Sequence, residues 1–149
     1  VSVFDYLFYS ELEKSNDEML SAIAMKSSKE AKYHMLHSID WVIRLGDGTK
    51  ESHARMQKAI DSLWMYTGEL FEMDTVDTYL LDRNIAVDLV PVKANWQYKI
   101  SDTLKQATLI LPEDSYMQTG SRKGIHTENL GHVLSEMQYL QRAYPDAKW

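Results

Sequence analysis

Cysteine is absent from this 149-residue chain, so disulfides, thiolate metal sites and a cysteine nucleophile are all excluded. No apolar stretch approaches the roughly 18–20 residues needed to cross a bilayer, and no signal-peptide pattern opens the sequence. Positive charge is in deficit: 16 Lys+Arg face 22 Asp+Glu, a formal net charge of −6. That balance argues against a nucleic-acid backbone as the main partner, because phosphate binding needs clustered cations. No Gly-x-Gly-x-x-Gly, P-loop, nucleophile elbow or triad pattern occurs. The lack of thiols fits a reducing cytoplasm, and the expectation is a soluble cytoplasmic protein with no membrane contact. Val1 leads straight into an amphipathic pattern with no Met and no cap, so the natural start is expected to lie upstream.

What is present is helical periodicity. Apolar residues at Val1, Phe4, Leu7, Phe8 and Leu12 predict a helix over 1–14. Ser15, Asn16 and Asp17 form a turn with a ready N-cap, and a second helix is predicted from Glu18 to Leu45, ending at Gly46-Asp47-Gly48. At 1.5 Å per residue it is about 40 Å long, which suits a bundle better than a small globule. Thr49 caps a third helix predicted over 50–71, with Met56, Ile60, Leu63, Trp64 and Leu70 as core candidates. Asp74 caps a short helix over 75–82. Residues 85–91 read as an irregular connection, and 94–109 as another helix carrying Trp96, Ile100 and Leu104. Pro112, Gly120 and Gly124 mark 111–125 as loop. Thr127 opens the last helix, with Leu130, Leu134, Met137 and Leu140, and Pro145 stops it. Only 107–111 is a weak strand candidate. The fold class is all-α, a single helical bundle domain over 1–149.

The second helix carries the main chemical candidates. Ile23, Ser27, Glu30, His34, His37 and Trp41 follow spacings of three and four, so they share a face, here taken as directed to a bundle interior. Di-iron bundles draw inward-facing ligands from single Glu residues and Glu-x-x-His pairs. In this sequence Tyr33 stands three residues after Glu30, and the histidine arrives one position late at His34. His34 lies within about 40° of Glu30 around the axis, and His37 is closer in angle but one turn further along. A Glu30/His34/His37 metal site is therefore one reading. The favoured one is a buried, hydrogen-bonded Glu–His pair that keeps the bundle in register. Asp5 on the first helix repeats the pattern, because Phe8 occupies the position where an imidazole would be wanted. His53 is expected to be solvated. His126 and His132, with Glu128 and Glu136, offer a surface metal site, but their spacing matches no ligand motif and surface ion pairing or capping is the favoured reading. Ser121-Arg122-Lys123-Gly124 is a basic loop for which Arg122 and Lys123 offer contact to a coenzyme A phosphate or a partner.

Several long stretches carry a resemblance. Lys29–His34, Ser38–Thr49, Glu51–Met56, Leu63–Phe71, Gly124–Gly131, Glu136–Pro145 and the terminal Trp149 are similar to the C subunits of the phenylacetyl-CoA ring epoxidase family. The resemblance implies a ferritin-like helical subunit paired with a catalytic A subunit that holds the di-iron site activating dioxygen. A separate reductase supplies electrons from NADPH, and the product is the ring 1,2-epoxide of phenylacetyl-CoA. It further implies that this chain is a structural subunit without a cofactor, Asp5, Glu30, His34 and His37 being a degenerate remnant of a metal cluster. Family members begin earlier, so the sequence is expected to lack N-terminal helices. The face bearing Asp5, Glu30, His34 and His37 is then expected to be covered by other protein, and a homodimer of the isolated subunit is plausible.

Overall fold

The computed structural model describes residues 1–113 and 116–148; Trp149 and two residues of the expected 111–125 loop lie outside them. Six α-helices and three short 3₁₀ turns make up the regular structure among the described residues, with no strand, so the all-α reading holds. No helix is long and apolar enough to cross a membrane among these residues. The chain divides into two compact units, Val1–Gln118 and Thr119–Trp149.

In the first unit, α1 (Ser2–Leu12) and α2 (Glu18–Gly46) form an antiparallel hairpin. Asp17 caps α2 by accepting the Leu20 N–H at 2.9 Å, which satisfies one of the four orphan donors of the first turn. The hairpin closes through a stripe of three small residues and one methionine: α2 buries Ala24, Ser28, Ala31 and Met35, spaced four, three and four. Small side chains on that stripe let α1 approach closely, and the Ser28 hydroxyl donates to the Glu13 carboxylate at the end of α1.

α3 (Lys50–Leu63) runs back along α2 from the Thr49 cap, whose hydroxyl accepts the Ser52 N–H. The sequence predicts one helix to residue 71, but α3 stops at Leu63 and gives way to 3₁₀ turns at Trp64–Tyr66 and Gly68–Phe71. Trp64, Tyr66 and Thr67 are mediocre helix formers and Gly68 a poor one. The Thr67 hydroxyl also donates to the Trp64 carbonyl at 2.8 Å, a local bond that tightens the chain. Gly68 sits under Met117, where an added Cβ would come within 3.2 Å of that side chain.

Asp74 caps α4 (Thr75–Leu81) through a reciprocal capping box with Asp77. α5 (Leu89–Gln106) begins five residues before the predicted start. Asp88 caps it at 2.9 Å from the Val90 N–H, and Pro91 falls in the first turn, where a missing N–H costs nothing. The 107–111 segment is not a strand: the Gln57 side-chain amide bonds both the N–H and the carbonyl of Ile110, at 2.8 and 3.0 Å.

α5 lies parallel to α2 and antiparallel to α1. Three apolar clusters follow its length: Leu89 and Val92 against Leu7, Phe8 and Leu12; Trp96 against Val3 and Met35; and Leu104 with Ala107 and Leu109 against Val42, Ile43 and Ile60. At the last of these, α2 meets the end of α5 over Gly46, where an added Cβ would stand 2.5 Å from the Ala107 carbonyl oxygen.

In the second unit, a 3₁₀ turn at Ser121–Lys123 is bracketed by Gly120 and Gly124 at φ +100° and +80°. Both are left-handed positions that suit glycine. It is followed by α6 (Glu128–Ala143), which has no buried residue among those described.

Candidate functional site

The residues singled out in the sequence collect on the α1–α2 hairpin, but on its outer side. α2 buries the stripe through Ala24, Ser28, Ala31 and Met35, and Glu30, His34 and His37 point away from it. Asp5, Glu30 and His34 meet with Ser2, Tyr9 and Ser27 around an open cleft of about 400 Å³. His37 is not part of that lining.

The expected buried Glu–His hydrogen bond is not formed within this chain. His34 Nε2 and Glu30 Oε1 are 3.8 Å apart, with 58% and 80% of their side chains exposed. At that distance the contact is an ion pair only when the imidazole is protonated, and solvent screens it. The physical reason is which stripe of α2 packs. Close helix contact favours the small residues, and the larger polar residues take the opposite side. No group of three or more His, Asp or Glu is placed to hold a metal ion among the described residues.

His37 belongs to a different arrangement. Its ring lies nearly parallel to that of Tyr33 (5.9 Å between centroids, 15° between planes), and Trp41 meets it edge-on at 6.3 Å. The Arg44 guanidinium lies 6.0 Å from the Trp41 ring. Tyr33, His37, Trp41 and Arg44 form a ladder of ring contacts along exposed α2. Tyr33 is 63% exposed and Trp41 48%. Of these four, His37 and Trp41 were read from the sequence as part of an interior face, and Tyr33 only as the residue standing where a histidine would be wanted.

His53, expected to be solvated, is half-buried and bonded: its Nδ1 lies 2.7 Å from the Gly46 carbonyl oxygen. Thr108, held at φ +58°, brings its hydroxyl to 3.4 Å from the same oxygen. These contacts lock the close α2–α5 junction. In the second unit, Arg122 and Lys123 occupy the glycine-bracketed turn, which is closed by the Lys123 and Ile125 N–H groups donating to the Gly120 carbonyl at 2.8 and 3.0 Å. His126 and His132, with Glu128 and Glu136, are exposed.

Sequence reasoning missed an apolar groove of about 390 Å³ between α2, α3 and α5, lined by Ile39, Val42, Ile60, Leu63, Trp96 and Leu104 among others. Each of these residues has an apolar helical position, and only the packing decides that they leave a gap between them. Trp96, one of the lining residues, buries an Nε1–H that has no acceptor among the described residues.

Two comparisons with known proteins bear on this geometry. Residues 1–149 match the family described as Phenylacetic acid catabolic protein. The chain is also 42% identical over 149 residues to the C subunit of the 1,2-phenylacetyl-CoA epoxidase of Escherichia coli (strain K12). That match takes in 100% of this chain and 60% of the relative, so the chain spans about three-fifths of the curated protein's length.

Proposed function

Because the chain belongs to the phenylacetic acid catabolic protein family, we propose that it is a non-catalytic structural component of a multicomponent phenylacetyl-CoA epoxidase. Its role is to pair with and support the di-iron A subunit in aerobic, cytoplasmic phenylacetate degradation. The similarity to an epoxidase protein named as a subunit supports an assembly with other chains.

The observation that carries the supporting role is the donor set on the hairpin. Phe8 and Tyr33 occupy the positions three residues after Asp5 and Glu30, so neither helix presents a Glu-x-x-His pair. Glu30 and His34 are 3.8 Å apart on an open, solvated cleft. Neither helix therefore supplies the imidazole that a di-iron bundle draws from the position three residues after its carboxylate. No step of the oxygenation is assigned to this chain. Its contribution is burial: exposed rings and aliphatic side chains of α2 become interior when a partner covers them. A standard interface removes roughly 1,600 Å² from water in total, and obligate ones remove more.

Co-expression with the A subunit, followed by co-purification and iron analysis of the separated chains, tests this reading. The expected result is a stable complex whose iron follows the A subunit. Iron retained by this chain, and lost in Glu30→Ala, would instead favour the reading in which Glu30 with His34 or His37 binds metal, a reading prompted by the cleft that Glu30 and His34 share with Asp5. Contact with coenzyme A through Arg122 and Lys123 is tested separately by titrating the chain with a coenzyme A thioester. Weak or no binding is expected.

A further inference from the structure

We draw no further inference here: the strongest candidate, the apolar groove between α2, α3 and α5 that Val1, Val42, Ile60 and Trp96 help to line, carries nothing because nothing in the structure shows what covers it.

Discussion

Replacing Gly46 by alanine tests the junction that sets the α2–α5 distance. An alanine Cβ there would stand 2.5 Å from the Ala107 carbonyl oxygen, 2.8 Å from the Ala107 Cβ and 2.9 Å from Leu109 Cδ1. Ordinary carbon–carbon contacts lie near 3.5–4.0 Å. Two of the three obstructing atoms are backbone or Cβ and cannot swing aside, so the end of α5 must move by roughly 0.7–1 Å to restore an ordinary contact distance. Gaps of that size forfeit a quarter to a half of each dispersion contact they open, and overpacking of this kind costs about 1–3 kcal/mol. The shift also pulls on the His53 and Thr108 contacts to the Gly46 carbonyl, at 2.7 and 3.4 Å. Opposing this, alanine improves on glycine by up to about 1 kcal/mol in a helix interior, and by less at Gly46, the last residue of α2. Gly46→Ala is therefore expected to destabilise the protein by about 1–2 kcal/mol, the difference between those two effects. Urea unfolding followed by circular dichroism reads this as a lower midpoint with an unchanged slope. A midpoint at or above that of the wild type would show that α2 and α5 do not pack as tightly as described, and the close-approach argument would fail.

Two further substitutions separate backbone from packing effects. Thr108→Gly should raise stability by about 0.5–1 kcal/mol, because a β-branched residue at φ +58° is strained where glycine is not, and the bond given up is a long one at 3.4 Å; a loss of stability in the same urea assay would show that the hydroxyl matters more than the strain. Gly131→Ala in α6 has no atom within 4 Å of the added methyl, so helix propensity acts alone and should stabilise α6 by about 0.8–1 kcal/mol. Slower amide hydrogen exchange across 128–143 would report it, and unchanged exchange would refute it.

The helices were legible because their signals are local. The 3.6-residue apolar period, the caps at Asp17, Thr49 and Asp74, and the stop at Pro145 each act within a few residues of the chain. Two boundaries were missed for the same reason in reverse. Pro91 looks like a breaker until Asp88 places it in the first turn of α5, and Trp64 continues the α3 pattern until Thr67 and Gly68 tighten the chain. The site was legible only in part: Phe8 and Tyr33 mark a faulty ligand set from spacing alone, whereas the cleft joining Asp5, Glu30 and His34 needs two helices to be placed side by side.

By itself, then, the sequence determined the helical class, the caps and the stripes of side chains on each helix, since these depend on neighbours three and four residues away. It could not determine which stripe of α2 turns inward. Ile23, His34 and Trp41 lie on one side and Ala24, Ser28, Ala31 and Met35 on another, and both obey the same period. Tertiary packing decided between them. The small residues allow α1 to approach closely, and the rings of α2 are left outward among the described residues.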